Sequence, residues 1–515
     1  MSTTTSEPAT RTSVLGGHSR RRSLFGPLSM PQLLVLAAVG AVAVIVLVLT
    51  QSLVVLLGEV GLAAVLRWLW RRRGHDDQPW IQTVIESLRA TVAARTGADR
   101  YDPPAQESPR PLPREMGRVR FATASETEDT PGLAVVDHLD EDALSTVLEI
   151  VGGGDGLRDI REINRSGLAF GQFLYSLAGP ELPVTQIDVT TRIMPATPGL
   201  YQRWVQQHLD PAAPAALAQN LRELAELAAG RGDTYRSWIT LRCSRQQLAQ
   251  QLHRQGHQPN PERIAEQALQ VTSEVARRAG DAGFEVRAGL GPRRLGALVR
   301  HLYAPDWDLD DLEGITSPRD GFQPYTARGL REGMCVPGRH ASWWHATASI
   351  PRDGWPLHPV GMRWLESLVT DVQTRADPDD PTQEPTVRTV NVQFQLSSQR
   401  AARENAAYAH TLDRAEVEQA QHSNRVSTGL NEAQAQASAR LLEDLVEHAA
   451  GCRPAVRVTV SAPSAPALAE ARQRVHSAAV DAGNVQRLSW HEHRHHHAHL
   501  LTLPVGKGLD RKGIR

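Results

Sequence analysis

A long apolar stretch with arginines on both sides constrains this chain most strongly. From Leu33 to Leu49 every side chain is aliphatic or glycine, and after a break at 50–52 a second apolar run continues from Leu53 to Trp70. Each run has about 17 to 19 residues, and about 20 helical residues, with a lower limit near 17, span a bilayer core. The stretch therefore predicts a transmembrane helical hairpin, with a single tilted span as the alternative.

The flanks of this stretch indicate its orientation. Arginines occupy positions 20–22 before the first run and 71–73 after the second, whereas the break between the runs has no basic residue. Because positive charge resists translocation, both flanks are expected on the cytoplasmic side. The sequence thus predicts a multi-pass protein of the bacterial inner (cytoplasmic) membrane with cytoplasmic N- and C-termini, and the lipid bilayer is its first expected partner.

Composition narrows the function classes of the remaining chain. A net charge of −1 over 515 residues provides no general attraction to nucleic acid, so no direct nucleic-acid partner is predicted. The three cysteines, Cys243, Cys335 and Cys452, are odd in number and far apart. They predict neither a disulfide framework nor a zinc site, which agrees with a reducing compartment.

Five segments follow from the sequence pattern. Residues 1–30 predict a disordered cytoplasmic tail because they are rich in Ser, Thr and Arg, and residues 31–73 contain the transmembrane hairpin. Residues 74–115 combine a juxtamembrane amphipathic helix with a proline-rich linker. One cytoplasmic α+β unit is predicted at 116–375 and a second, with long polar helices, at 376–515, because an acidic, proline-broken loop separates them.

The two cytoplasmic units share a weak internal duplication. Segments 187–193 and 390–396 alternate apolar with polar residues, which is typical of half-buried strands. Each is followed by helical sequence, a second strand and a helix that ends at an Asp-Ala-Gly tripeptide, at 281–283 or 481–483. The predicted fold class is therefore α+β: the N-terminal transmembrane helical hairpin, then two cytoplasmic split-βαβ-like units, each an open sheet with helices on one face.

A long polar stretch interrupts the second unit. Residues 398–450 are charged and rich in Ala and Gln. One interpretation is a protruding helical hairpin that turns near Asn424 or Gly429 and offers a surface to a partner. The other is a solvated helix packed on its own sheet.

The histidine-rich segment 491–499 is the candidate metal site. It contains H-E-x-x-H, a pattern that on a helix places two imidazoles on one zinc ion beside a glutamate base. His491, His495 and His499 would share one face of such a helix. The pattern is a weak indication in so histidine-rich a segment, and the extension of the metzincin proteases is missing at Ala498 and Leu501. A zinc-dependent hydrolase is therefore a distant alternative, and no cofactor is predicted.

Other motifs of catalysis are missing from the sequence. Gly506-Lys507-Gly508 lacks the spacing and the hydroxyl of a phosphate loop. There is no G-x-S-x-G elbow, and no cysteine lies in a motif for a nucleophile. The acidic segment 306–313 lacks the glycine and terminal glutamate of a calcium loop and predicts a surface turn. The chain is therefore predicted not to be an enzyme.

Short motifs give the chain a resemblance to a known family. Besides the apolar hairpin, they are DTYRSWITL at 233–241, LVRHLYAP at 298–305, HAT at 345–347 and LPVGKGL at 503–509. Through them the chain resembles actinobacterial membrane proteins of conjugative, type IV secretion-like elements. The resemblance implies a PrgI-like membrane hairpin joined to a region similar to the ATPase-free N-terminal domain of the conjugation ATPase. Ala304 departs from that family, in which an aspartate is common before the proline.

The resemblance also implies a function. It indicates a non-enzymatic integral membrane scaffold of a conjugative or type IV-like secretion machine that docks a separately encoded P-loop ATPase. Other membrane subunits of the machine, and further copies of this chain, are expected partners. The alternative is an EccE-like membrane component of type VII secretion, which the chain resembles in its strand W-I-x-L-R at 238–242.

Overall fold

The computed structural model describes residues 87–88, 91–97, 99–104, 109–124, 132–151, 159–179, 181–196, 205, 209–210, 212–228, 233–327, 332–351, 354–356, 360–361, 363–374, 384–422, 430–446, 451–480 and 485–508. The predicted tail at 1–30 and the predicted transmembrane hairpin at 31–73 lie outside these ranges. No helix within them is both long enough and apolar enough to cross a membrane. On this finding, the transmembrane part of the predicted fold class and the multi-pass membrane localisation are corrected.

The described strands form one large sheet. In chain order they are β1 (Arg100–Tyr101), β2 (Val119–Ala124), β3 (Leu133–His138), β4 (Ala143–Val151), β5 (Val184–Pro195), β6 (Asp233–Ser244), β7 (Glu285–Gly289), β8 (Tyr325–Thr326), β9 (Met334–Pro337), β10 (Ser342–Ser349), β11 (Val387–Leu396), β12 (Cys452–Ala462) and β13 (Ser489–Trp490). Their order across the sheet is β1-β8-β9-β10-β12-β11-β5-β6-β4-β3-β2, while β7 pairs with β4 and β13 with β10. All of these pairs are antiparallel.

Helices connect these strands. They are α1 (Ile160–Leu177), α2 (Ala215–Ala228), α3 (Arg245–Arg254), α4 (Pro261–Asp281), α5 (Pro292–Tyr303), α6 (Gln399–His422), α7 (Leu430–Val446), α8 (Ala465–Val480) and α9 (His495–Leu500). Local sequence fixes where several of them begin. The Asp159 side chain accepts the Glu162 N–H before α1, and the Asn260 side chain accepts the Arg263 N–H before α4, each at 2.8 Å. Such caps satisfy backbone donors that a helix leaves free.

The sheet is palindromic about the β5–β11 pair. Outward from β5 come β6, β4 and β3, and outward from β11 come β12, β10 and β9. The peripheral strand β7 pairs with β4 as β13 pairs with β10. The topology therefore repeats, as the duplicated sequence pattern predicts. The prediction of two units with separate open sheets of the split-βαβ kind is nevertheless wrong, because the two halves share one continuous sheet.

The central pair explains why the halves merge. β5 has 12 residues and β11 has 10, and they pair from Gln186 with Gln395 to Ile193 with Arg388. In separate units each would be a long edge strand with unpaired backbone groups, which is an aggregation hazard. Pairing them removes both edges. Sequence alternation identifies each strand but does not indicate its neighbour, so this join was not predictable from the pattern.

Helices cover both faces of the sheet rather than one. On the first face, α1, α3 and α4 pack around Ile187 and Leu241, and α8 packs around Val458. On the second face, α5 and the C-terminal residues pack around Trp238. The polar side chains that alternate with the apolar ones in β5 and β11 therefore lie in the interior, and those strands are not half-buried as predicted.

Candidate functional site

A buried polar layer crosses the middle of the second face. Its members come from alternate positions of five neighbouring strands: Thr240 and Arg242 of β6; Asp188, Thr190 and Arg192 of β5; Thr389, Asn391 and Gln393 of β11; Arg457, Thr459 and Ser461 of β12; His345 and Thr347 of β10. The strand registers bring partners together, so that Asn391 Nδ2 donates to Thr190 Oγ1 at 2.8 Å and the Thr347 and Thr459 hydroxyls lie 2.9 Å apart. Hydrogen bonds therefore link members of the layer across the strands, which is how buried polar groups are usually satisfied, although Arg192 Nε and Thr240 Oγ1 have no partner.

The C-terminal segment, defined here as residues 489–508, covers this layer. Its backbone carbonyls accept hydrogen bonds from strands of both halves: Val505 from Ser145 Oγ at 2.8 Å, Gly506 from Arg242 Nη1 at 2.7 Å and Leu501 from Gln393 Nε2 at 3.4 Å. Because β4 and β6 belong to one half and β11 to the other, the segment ties the two halves together.

An ion-pair cluster fixes the end of this segment. Lys507 Nζ lies 2.6 Å from Glu141 Oε1, and Arg242 Nη1 lies 2.8 Å from Glu141 Oε2. Burial raises the pKa of Glu141, but the Lys507 ammonium and the Arg242 guanidinium outweigh it and lower this pKa to about 2. Lys507, in a sequence that lacks the spacing of a phosphate loop, therefore binds a carboxylate of its own chain.

The three histidines predicted as metal ligands do not form a metal site in the described structure. His491 precedes α9, whereas His495 and His499 lie on it and are buried. Their partners differ: His491 Nε2 is 3.0 Å from Ser349 Oγ, His495 Nδ1 accepts the Thr347 N–H at 3.0 Å, and the His499 ring packs edge-on to Tyr303. Among the described residues, no group of three or more His, Cys, Asp or Glu side chains could hold a metal ion.

Burial keeps the interior histidines neutral. Desolvation is the main cause that lowers the pKa of His138 to about 4 and the pKa of His301 and His345 to about 3, and it also lowers the pKa of His491 to about 3. It lowers the pKa of His499 as well. An efficient general base has a pKa near the working pH, so these imidazoles are poorly suited to proton transfer at neutral pH. His138, His301, His345 and His491 each hydrogen-bond through one ring nitrogen, whereas His499 makes only ring contacts.

Burial raises, rather than lowers, the pKa of the carboxyl group in the polar layer. Asp188 is buried, and desolvation raises its pKa to about 7, although hydrogen bonds from Gln186 Nε2 at 2.7 Å and Gln393 Nε2 at 3.3 Å oppose this effect. Arg457, which donates to Gln393 Oε1, supplies a further opposing charge. Asp188 therefore titrates near neutrality inside the protein.

The cysteines are not activated nucleophiles. Burial raises the pKa of Cys243 to about 12 and that of Cys452 to about 11, and it also raises the pKa of Cys335. The thiolate is the reactive form, so these thiols are largely unreactive at neutral pH.

The acidic segment 306–313 is a turn held by arginines. Arg236 Nη1 lies 3.0 Å from Asp310 Oδ2, and Arg300 Nη1 donates to the Glu313 carbonyl at 2.6 Å. The Arg300 guanidinium also stacks 4.0 Å from the ring centroid of Trp307. These contacts anchor the turn to β6 and α5, which gives its carboxylates a structural role.

Two solvent-open clefts of about 270 and 420 Å³ lie beside α8 and share Glu470 and Arg474. Asp371 and Glu384 line one cleft each. No histidine or cysteine is among the described residues that line either cleft. Neither cleft therefore combines a nucleophile with an imidazole base.

The α6–α7 hairpin, formed by α6 and α7 between the adjacent strands β11 and β12, has many exposed side chains. The Ser397 N–H donates to the Gly451 carbonyl at 2.7 Å, so the chain enters and leaves the hairpin at one point. The two helices pack extensively on each other, and neither packs extensively on another described element. This arrangement agrees with the protruding interpretation of 398–450. The predicted turn at Asn424 or Gly429 lies outside the described residues.

No known protein-family model matches the chain, and no curated protein matches it significantly. The resemblance to conjugative elements thus remains a prediction from short motifs.

Proposed function

We propose that this chain is a non-enzymatic scaffold subunit of a conjugative or type IV-like secretion machine, and that its α6–α7 hairpin docks a separately encoded P-loop ATPase. The observation that carries the scaffold role is the self-contained hairpin that leaves the middle of a rigid sheet. The assignment to a secretion machine, and of the ATPase as partner, is supported by the sequence resemblance.

The hairpin has the dimensions and stability of a docking arm. The 24 residues of α6 correspond to about 36 Å at 1.5 Å per residue. A small core of Ala402, Ala406 and Leu445 joins its helices, and Arg403 Nε donates to the Leu445 carbonyl at 3.2 Å. The two helices thus pack on each other rather than on the sheet.

An apolar stripe on α6 provides a surface for the partner. Tyr408 is 66% exposed and Leu412 is 39% exposed, and Ala415 is exposed as well. Their spacing of four and three residues places them on one side of the helix. The Arg400–Glu404 ion pair lies on the exposed surface of the same helix. Exposed tyrosines surrounded by polar groups are typical centres of binding energy.

The described chemistry supports a role without catalysis. The interior imidazoles are neutral, the thiols have raised pKa values, and Lys507 is paired with Glu141. None of these groups lines either of the two open clefts. A folded body that presents surfaces rather than a reactive cleft suits a scaffold.

Binding of the full chain to the P-loop ATPase encoded beside its gene tests the proposal. We expect a complex whose Kd rises by at least about 30-fold in the Tyr408→Glu/Leu412→Glu variant, because losing about 2 kcal/mol at a binding hot spot corresponds to that factor. The matched control is Leu217→Glu/Leu224→Glu on α2, which introduces the same charge at exposed leucines elsewhere. Absence of a complex, or an equal loss of affinity in both variants, would contradict the proposal.

A further inference from the structure

A buried guanidinium without a counter-ion lies at the junction of the two halves. Arg192 of β5 is fully buried. Its Nη1 donates to Thr389 Oγ1 at 2.7 Å, its Nη2 lies 3.5 Å from the His301 carbonyl, and its Nε has no hydrogen-bond partner. No described carboxylate lies within ion-pair distance of it. In agreement, burial lowers the pKa of Arg192 to about 9 with no acidic group opposing this effect.

Two imidazoles pack at the same end of α5 as this guanidinium: Arg192 Nη2 reaches the carbonyl of His301, and the ring of His499 lies edge-on to Tyr303, with 4.9 Å between the ring centroids. His499 of α9 is 1% exposed, and neither of its ring nitrogens has a hydrogen-bond partner. Its ring centroid lies 5.0 Å from that of His345, whose Nδ1 is 2.8 Å from Ser461 Oγ. The charge of Arg192 contributes to the lowered pKa of both imidazoles, so the three groups share one electrostatic environment.

An isolated buried charge is costly. Transfer of one ion from water to a protein interior costs several kcal/mol after relaxation, and a guanidinium does not release its proton to avoid that cost. A water molecule could accept the free N–H groups but would leave the charge uncompensated. A bound anion would satisfy both requirements.

We propose that Arg192 and His499 hold a small monovalent inorganic anion of the halide class in the protein interior. The Arg192 Nε–H and one imidazole N–H of neutral His499 are the donors. The guanidinium and the anion then form a neutral pair. The pair lies where β5 meets β11, beneath α9 and beside α5, so the anion joins the two halves of the sheet at their common centre.

The site makes stability depend on halide. Because the unfolded chain has no such site, bound anion stabilises the folded state by mass action. At a bromide concentration of 100 times its Kd, the equilibrium constant for unfolding should fall about 100-fold.

Bromide is the probe for the first test because it scatters anomalously. Crystals of the full chain grown in sodium bromide should show an anomalous peak within hydrogen-bond distance of Arg192 Nε and a ring nitrogen of His499. Density for water alone at that position, or bromide peaks confined to the surface, would overturn the proposal. This measurement requires no variant.

Thermal unfolding in sodium bromide and in sodium gluconate at equal ionic strength is the second test. The wild-type Tm should be higher in bromide, and Arg192→Met should remove the difference. Arg242→Met is the matched control, because Arg242 is a buried arginine that already has a carboxylate partner in Glu141. The control should keep the bromide effect. A bromide effect that persists in Arg192→Met would count against the site.

Discussion

Gly506 provides a sharp test of how the C-terminal segment lies on the sheet. Its φ is +67°, a left-handed conformation that costs an alanine about 1–2 kcal/mol. A Cβ at this position would also clash with Cβ and Oγ of Ser145 on β4, and overpacking of that kind costs about 1–3 kcal/mol. We therefore expect Gly506→Ala to lower the free energy of unfolding by about 2–5 kcal/mol, measured by urea denaturation at fixed pH.

Gly256 separates backbone strain from the clash. Its φ is +80°, but a Cβ there would meet nothing within 4 Å. Gly256→Ala should therefore show the strain alone, about 1–2 kcal/mol. The difference between the two variants reports the contact of Gly506 with Ser145. Equal destabilisation of the two variants would refute the placement of the C-terminal segment on β4.

Acid should destabilise the protein. The interior histidines His138, His301, His345 and His491 have folded-state pKa values of about 3–4, below their ordinary 6.5. The stability that their neutral forms contribute is therefore fully present above pH 6.5 and is lost as pH falls from 6.5 towards these folded-state values. Asp188 has the opposite effect on stability: its pKa rises from 3.8 to about 7 on folding, so its protonation stabilises the folded state as pH falls. Asp188→Asn removes this compensation and should steepen the loss of unfolding free energy between about pH 6.5 and 4. A shallower loss would contradict the raised pKa. Cys243, which is buried, should react slowly with a thiol reagent at pH 8 in the native protein and rapidly in denaturant; fast reaction of Cys243 in the native protein would argue against its burial.

The sequence predicted many elements but not their assembly. The strands at 187–193 and 390–396 and the repeated order of strands and helices are all present, because alternation and helical periodicity are local properties. The pairing of β5 with β11 joins residues about 200 positions apart, and no local pattern specifies it. The predicted separation into two sheets was therefore wrong.

The buried polar layer shows a second limit of pattern analysis. Alternation in a strand distinguishes its two faces, and we interpreted the polar face of β5 as solvent-facing. In the structure Asp188, Thr190 and Arg192 are buried because the C-terminal segment, more than 300 residues after Asp188 at its Lys507 end, covers this face. The L-P-V-G-K-G-L motif contributed a resemblance and a rejected phosphate loop, although its Gly506 and Lys507 are what fit the segment to β4 and Glu141.

The histidine-rich segment shows a third limit of pattern analysis. Its spacing suggested metal ligands, yet α9 begins only at His495. His495 is instead a backbone acceptor for β10, and His499 is part of the buried cluster around Arg192. Ligand spacing alone could not reveal these roles, because they depend on which strand lies opposite each ring.

Removal of the α6–α7 hairpin tests the scaffold proposal most directly. Leu396 pairs with Cys452, and the Ser397 N–H bonds the Gly451 carbonyl, so an Asn-Gly turn can replace residues 398–450 and close β11 onto β12. The measurement is sedimentation of the neighbouring P-loop ATPase with the full chain and with this variant, alongside their urea unfolding. We predict that the variant unfolds at a similar urea concentration and no longer co-sediments with the ATPase. A folded variant that binds the ATPase as tightly as the full chain would contradict the account.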